Sequence, residues 1–378
     1  MLPVAIVGGG PVGLSLALLL RQAGIGCEVF DARPAGAGFG DRRVLALSHG
    51  TRQIFQRLDT WTEIGAAPIT TIHVSQHGHL GRTLIHAAET GVPALGYVAE
   101  AGRVARALAQ TCAATGVKLR NGIRVTGSEA GSGRALLRFA APPGDETVPA
   151  QLIAWAEGAV SAEHGGVRRD YAQQAIVAAV QTRTPPAGIA YERFTGSGPV
   201  ALLPLAGRYA LVWTVPDDAA ADLSELDDRA FLARLSAVFG GRHDFISVDA
   251  RAAFPLGLRY RETPVGERAV WLGNAAQTLH PVAGQGFNLA LRDACELARQ
   301  LRDEPADCGS PALLARHAAA RHLDRRAAIG FTDGLVRLFG LRDPFSAHAR
   351  GAGLLALDLM SAARRFLARR MIFGARGW

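Results

Sequence analysis

A single lysine, Lys118, stands among 41 Lys and Arg residues, so the formal net charge of +8 is almost wholly arginine. Such a bias follows genome composition more readily than recognition of a polyanion, which sets nucleic acid aside as a partner. Only four cysteines occur, Cys27, Cys112, Cys295 and Cys308, with no CxxC pair and no histidine at ligand spacing. That excludes a disulfide framework and a metal site, and leaves four small reduced core residues. No apolar run reaches the ~20 residues of a spanning helix. No basic leader precedes the first strand-like run. These absences point to a cytoplasmic protein without a transmembrane segment.

What is present is a 378-residue chain, 49% hydrophobic, enough for two domains or one large interrupted one. Val4–Gly8 reads as a buried parallel strand and Pro11–Ala23 as a helix that is apolar nearly all round. Gly24–Gly26 makes a turn and Cys27–Asp31 a second strand, giving a βαβ start. A further helix is expected over Arg103–Thr115, with short strands at Val117–Arg120 and Leu152–Trp155 and a hairpin over 127–147. Between about 180 and 260 the runs "AIVAAVQT", "GPVALLPLAG" and "YALVWTVP" predict a sheet without crossover helices. Thr70–Gly78 has the same texture, and from Val270 the helix-rich pattern returns. The expected fold is α/β: a dinucleotide-binding domain formed by 1–69, 97–178 and 265–340, interrupted by a β-rich domain of 70–96 and 179–264. A helical segment, 341–378, closes the chain.

"GGGPVG" (Gly8–Gly13) fits G-x-G-x-x-G between a strand and a helix. Gly8 permits the tight turn, Gly10 lets backbone approach a pyrophosphate, and Gly13 allows close helix–strand contact. Asp31 ends the next strand, where its carboxylate would accept hydrogen bonds from ribose hydroxyls. The motif by itself fits NAD and FAD alike. A second glycine cluster separates them. In "VWLGNAAQTLHPVAGQGFNLALRDACELARQL" (Val270–Leu301) a strand runs into Asn274, followed by His280-Pro281, a loop "AGQGFN" and a long helix. Gly284 and Gly286 remove side chains where backbone would meet a flat ligand. The helix amides would face the negative charge of a reduced flavin, and an NAD dehydrogenase has no need of such an element.

With these motifs the sequence resembles the class A flavoprotein monooxygenases, and within them the ubiquinone-biosynthesis hydroxylases, nearest the branch acting on 2-polyprenyl-6-methoxyphenol. The stretches that carry the resemblance are "DRRVLALSHGT", "ITTIHVSQHGH", "YERFTGSGPVALLP", "GNAAQTLHPVAGQGFN" and "IGFTDGLVRLF", in the family's order. The resemblance implies a Rossmann-type FAD-binding domain interrupted by a β-sheet substrate domain, with a C-terminal helical region. Gly8, Gly10 and Gly13 would then hold the FAD pyrophosphate, Asp31 the adenosine ribose, and Arg43 the flavin's sugar and phosphate. In Gly273-Asn274 the asparagine stands where most of the class has an aspartate contacting the ribityl chain or the pyrophosphate. His280, Pro281, Gly284, Gly286, Phe287 and Asn288 would line the isoalloxazine, with His280 and Pro281 the nearest to catalytic residues. In "WAEGAVSAEHGG" (Trp155–Gly166) Glu157-Gly158 replaces the usual Asp-Gly, and the arginine usually found downstream is missing. That leaves open how NAD(P)H, or another electron donor, delivers its electrons.

The implied chemistry is hydroxylation of the ring of a polyprenylated phenol, with O2 as co-substrate and a flavin C4a-hydroperoxide as the oxygen donor. No metal is required. Two other readings share the glycine loops: an FAD-dependent isoprenoid reductase, and a non-catalytic flavin-binding subunit of a quinone-biosynthesis complex. His280 is open between a proton-handling role and a structural one. His73, His77 and His79 read as surface or pocket-wall histidines, while Tyr191 and Trp213 are candidates for the substrate wall. On a helical wheel Leu354–Trp378 is a basic amphipathic helix, with Arg364, Arg365 and Arg369 off its apolar side. It fits peripheral contact with the inner face of the cytoplasmic membrane, docking of other quinone-biosynthesis proteins, or capping of the protein's own core.

Overall fold

The computed structural model describes residues 1–141, 144–158, 166–341 and 343–375. Strand Leu2–Val7 is the centre of an eight-stranded sheet whose main path runs Val265–Gly266, Ala269–Trp271, Gly144–Trp155, Leu2–Val7, Cys27–Asp31, Lys118–Asn121. Its neighbours Cys27–Asp31 and Gly144–Trp155 both pair with it in parallel. Such a strand is covered on both faces, which explains the unbroken apolar run Val4–Val7. On one face helices Pro11–Gln22, Ala101–Ala114 and Gln285–Asp303 bury Leu14, Leu16, Leu108, Leu291 and Leu297. The other face is closed by the meander Val125–Ala130, Ala135–Ala141 and Gly144–Trp155, through Phe30, Leu137, Phe139 and Ile153. The last of these strands is longer than the expected Leu152–Trp155, because its first half pairs with the meander and only its second half enters the parallel sheet.

A nine-stranded sheet runs Gln277–Thr278, Ala252–Arg261, Gly166–Thr182, Arg208–Pro216, Gly198–Leu205, Ile189–Thr195, Thr71–Gln76, Arg82–His86, with Phe245–Val248 also on Gly166–Thr182. It is not free of crossover helices. Arg208–Pro216 and Phe245–Val248 both run antiparallel to Gly166–Thr182, and helices Asp217–Glu225 and Asp228–Phe239 connect them. The signals are local. Asp217 and Asp218 occupy the first turn of one helix, and the Asp227 carboxylate accepts the Ala230 N–H at 2.8 Å to cap the next. Phe231, Leu235 and Phe239 then repeat at helical spacing and bury against Ile176, Leu202 and Leu211.

This packing moves Trp213 away from the expected substrate wall. Its ring lies 5.6 Å from that of Phe231, on the helix-covered face. Its neighbours Val212 and Thr214 point the other way and line a cavity, as strand alternation requires.

After helix Pro311–Gly340 the chain ends in two helices rather than one: Pro344–Leu359 and Ser361–Phe373, broken at Met360 (φ −97°, ψ 85°). The break divides the apolar face seen on the wheel. Leu354, Leu357, Leu367, Met371 and Ile372 turn inward to the cavity, while Leu355, Leu359, Met360 and Phe366 are exposed. The tail is anchored by the Arg364–Glu89 ion pair at 2.8 Å and by the Asp358 carboxylate, which accepts the Leu84 N–H at 2.8 Å. No helix among the described residues is long and apolar enough to cross a membrane.

Candidate active site

The expected dinucleotide site forms where strands of the parallel sheet end, the usual ligand edge of such sheets. Leu2–Val7 delivers Gly8–Gly13, Cys27–Asp31 delivers Asp31, Gly144–Trp155 delivers Glu157-Gly158, and Ala269–Trp271 delivers Gly273-Asn274. Contact is close enough to explain most of the glycines. A Cβ on Gly8 (φ +109°) would lie 2.7 Å from the Ala156 carbonyl oxygen, and one on Gly13 would lie 2.0 Å from that of Gly8. One on Gly10 would meet nothing within 4 Å. Gly10 is the N-cap of helix Pro11–Gln22, and no side chain caps that helix. The amides at the start of the helix therefore face open space bounded by glycine, a cradle suited to a pyrophosphate.

Asp31 is more occupied than a ribose acceptor needs to be. Its Oδ2 accepts the Gly9 N–H (2.8 Å) and Arg33 Nη2 (2.7 Å), and its Oδ1 accepts the Arg33 N–H (2.8 Å). Against the cost of its partial burial, these bonds and the Arg33 charge hold its carboxyl below the ordinary aspartate range. Gly9, the middle glycine of "GGG", was absent from the sequence-based set. A Cβ there would stand 2.6 Å from Asp31 Oδ2. Arg43 is exposed and pairs with Asp41 at 2.6 Å. Glu157 is exposed near Asp31, and partial desolvation followed by the Asp31 charge raises its carboxyl above the usual value. Ala159–Gly165, which complete the "WAEGAVSAEHGG" segment, lie outside the described residues.

The second glycine cluster is not a loop ahead of a helix. Helix Gln285–Asp303 already includes Gly286, Phe287 and Asn288 in its first turn. Gly284, its N-cap, is left-handed (φ +59°), and a Cβ there would press to 2.7 Å from that of Ala46. Ala283 is also left-handed, at φ +68°. A non-glycine residue held there costs on the order of 1–3 kcal/mol, and such strain gathers at functional sites. An alanine gives no sequence signal of it. A Cβ on Gly286 would meet nothing within 4 Å, which leaves its face open to a flat ligand.

Asn288 is fully hydrogen-bonded within the protein. Its Oδ1 accepts the Ser48 N–H (2.8 Å) and Thr51 Oγ1 (2.7 Å), and its Nδ2 donates to the Ala46 (2.9 Å) and Gly284 (2.8 Å) carbonyls. Those four bonds use the whole amide. It clamps strand Val44–Ser48 to the start of the helix. Phe287 turns partly inward, its ring 6.2 Å from that of Phe55. Asn274 is exposed in the turn Gly273–Ala275.

His280 is 1% exposed. Its Nδ1 accepts the Val282 N–H at 3.1 Å, and its Nε2 has no partner among the described residues. The first bond fixes the tautomer, with hydrogen on Nε2. Burial lowers its pKa to about 4. At neutral pH His280 is a neutral, oriented donor with an unused N–H. Backbone thus holds one ring nitrogen, and the other carries a hydrogen that bonds no described residue.

His280, Pro281, Gly284, Gly286, Phe287 and Asn288 line a cavity of about 460 Å³, within the range of small-molecule sites. The rest of its wall is mostly apolar and includes Ile72, Ile85, Leu203, Val212 and Phe339. Tyr191 also contributes, although its ring packs against Phe239 and His243 on the far face. Glu192, which sequence reasoning missed, is the one carboxyl in this wall. Strand alternation in "AYERF" puts it beside Ala190 and Phe194 on the cavity face. Its carboxyl makes no hydrogen bond or ion pair with a described residue, and burial raises its pKa to about 7. The histidines of "HVSQHGH" do not gather. His73 is buried and meets Arg242 Nη1 at 3.1 Å, His77 and His79 are exposed, and no metal-ligating group of three stands among the described residues.

Comparison with known proteins agrees with this geometry. A family model described as "FAD binding domain" matches residues 1–332. The ubiquinone hydroxylase UbiL of Rhodospirillum rubrum is 33% identical over 97% of this chain and 88% of its own length. The 3-demethoxyubiquinol 3-hydroxylase of Escherichia coli is 30% identical over 96% of each chain. The crystal structure of p-nitrophenol 4-monooxygenase PnpA from Pseudomonas putida superposes with a TM-score of 0.79 at 17% identity, covering 100% of this chain and 99% of that one, a likeness of fold. The matched family model and these relatives show that the chain belongs to the FAD-dependent hydroxylase family of ubiquinone biosynthesis.

Proposed function

We propose that this protein hydroxylates the ring of a membrane-borne polyprenylated phenol, 2-polyprenyl-6-methoxyphenol, using O2 and electrons from NAD(P)H. The observation that carries this reading is the cavity. One wall is the His280–Asn288 segment, the rest is apolar, and Glu192 supplies a single carboxyl. Gly8, Gly10 and Gly13 would hold the FAD pyrophosphate, with Asp31, Arg43, Glu157, Gly158, Gly273 and Asn274 around the remainder of its sugar and phosphate chain. FAD supplies the oxygen-transfer chemistry when bound. The chain's own work is positioning, exclusion of water and handling of one proton. Glu192 accepts the hydrogen bond of the phenol hydroxyl and draws off its proton, which enriches the ring for electrophilic attack. His280 Nε2 donates to the ligand it faces. Leu367, Met371 and their neighbours close the cavity against water.

The same two C-terminal helices explain how the substrate is reached. Their inner faces line the cavity, while Phe345, Leu359 and Phe366 are 63–84% exposed beside the exposed Arg365, Arg369 and Arg370. An apolar face with cations at its rim suits an anionic lipid surface. Binding there would put the cavity wall next to the bilayer that holds the prenyl tail.

The test is expression in bacterial strains that each lack one ring hydroxylase of ubiquinone synthesis, with quinones profiled by mass spectrometry. Recovery of ubiquinone only in the strain blocked at 2-polyprenyl-6-methoxyphenol is the expected result. Recovery of another strain moves the ring position. Recovery of none, from soluble FAD-loaded protein, removes the hydroxylase reading in favour of a reductase or a non-catalytic subunit.

A further inference from the structure

A second cavity, of about 430 Å³, lies on the other side of the Asn288 clamp, between helix His49–Arg57, helix Gln285–Asp303 and the last helix. Ser48 and Thr51, which bond Asn288 Oδ1, are part of its wall. Ile54, Cys295, Ile372 and Phe373 make it apolar on several sides, and Gln53, Gln56 and Arg57 are its exposed residues. Arg292, 4% exposed, also lines it.

Arg292 belongs to a buried network in which charges do not balance. Its Nε donates to Asp324 Oδ2 at 2.7 Å and its Nη2 to Oδ1 at 3.4 Å. Arg321 bridges Asp293 (2.6 Å) and Asp324. Arg325 reaches Asp293 only through Gln277, at 2.9 Å and then 3.0 Å. Three guanidiniums, Arg292, Arg321 and Arg325, thus share two carboxylates, Asp293 and Asp324. Glu296, nearby on the same helix, is already matched by Arg299 at 2.7 Å. Among the described residues one positive charge is left over in the interior, where an unmatched ion is costly. Arg292 Nη1 bonds no described residue.

We propose that this second cavity binds a small organic carboxylate, whose oxygens bond Arg292 Nη1 and whose apolar body lies against Ile54, Ile372 and Phe373. A carboxylate brings the single negative charge that the network lacks. A phosphate has no apolar body to set against Ile54, Ile372 and Phe373, and would leave acceptor oxygens against those side chains, where each unmet acceptor is costly. Arg57 adds a second, solvent-screened attraction. Because Ser48 and Thr51 hold Asn288, an occupant here would stiffen strand Val44–Ser48 without entering the first cavity.

The site is independent of which phenol is hydroxylated, and its test needs no turnover. The full FAD-loaded chain is titrated calorimetrically with benzoate, with its neutral isostere benzamide, and with inorganic phosphate. One equivalent of benzoate is expected to bind, with benzamide and phosphate each roughly tenfold weaker or worse. Gln53→Glu, an exposed change that leaves the core intact, should weaken benzoate roughly tenfold, and Arg57→Gln by about threefold. Arg292→Met should abolish binding, although it also disturbs a buried network, so the surface variants keep the test decisive if it fails to fold. Benzoate affinity unchanged in Gln53→Glu and Arg57→Gln overturns the proposal, as does equal affinity for benzamide, tighter binding of phosphate, or no binding at all.

Discussion

Gly13→Ala protein should leave purification colourless, with FAD affinity reduced about 100-fold or more, ~2.7 kcal/mol. The new methyl would stand 2.0 Å from the Gly8 carbonyl oxygen, a distance that only movement of the whole turn can relieve. That turn joins the central strand to helix Pro11–Gln22, so the variant should also melt earlier without cofactor. Gly10→Ala is the control that separates the two losses. Its Cβ meets no protein atom within 4 Å, and Gly10 has an ordinary extended backbone at φ −77°. The apoprotein should therefore be as stable as wild type, while FAD binding falls about tenfold, because the space the methyl fills is the cofactor's. Equilibrium dialysis with FAD and thermal melts of the apoproteins read both quantities. Unchanged FAD affinity in Gly10→Ala would place the pyrophosphate elsewhere.

Glu192→Gln should lower hydroxylation at pH 8 by about 100-fold, within the span general-base catalysis contributes, while binding of the prenyl tail barely changes. The pH profile carries more information than the size of the loss. With a pKa of about 7, the wild-type carboxyl is protonated in mild acid and becomes a base as pH rises. Wild-type kcat/KM should climb through that pH, and the amide variant should lose the step. The stability effect has the opposite sign. Between the ordinary glutamate pKa and about 7 the folded chain keeps a proton that the unfolded chain has released. Wild-type stability therefore falls across that window as pH rises and stays lower above it. Glu192→Gln should be the more stable protein at pH 8 and equal to wild type below the ordinary pKa. A variant that is less stable at pH 8 would show the carboxylate to be bonded within the protein, not waiting for a phenol.

The cofactor side of the site was legible because its residues are adjacent in sequence and its requirements are steric. Gly8, Gly10 and Gly13 follow a buried strand, and Asp31 closes the next one. At Gly8 and Gly13 glycine is the only residue that fits against the neighbouring backbone, so that part of the pattern survives in the primary structure. Glu192 was not legible. A carboxyl in a β-run looks like a solvent-facing residue until the strand is known to border a cavity rather than water. Asn288 was placed beside the ligand by the resemblance. Its hydrogen bonds to Ser48 and Thr51 join residues 240 and 237 apart in sequence, a pairing that no local pattern records. Likewise, the wheel over the C-terminal tail treated Met360 as helical. The break there turns one apolar face inward and leaves another outside. Helices Asp217–Glu225 and Asp228–Phe239 were legible but overlooked, since Asp227 before Phe231, Leu235 and Phe239 is a capped amphipathic pattern in its own right.

The central claim, that oxygen from O2 enters the phenol ring in this cavity, is tested most directly by one labelling measurement. FAD-loaded protein, NADPH with a generic flavin reductase, and a short-chain 2-prenyl-6-methoxyphenol are incubated under 18O2, and the product is analysed by mass spectrometry. Ring-hydroxylated product carrying one labelled oxygen, formed by the wild-type protein and nearly absent with Glu192→Gln, is the result expected. Consumption of O2 that depends on the phenol but yields only hydrogen peroxide, or a reduced and unlabelled isoprenoid, would contradict it.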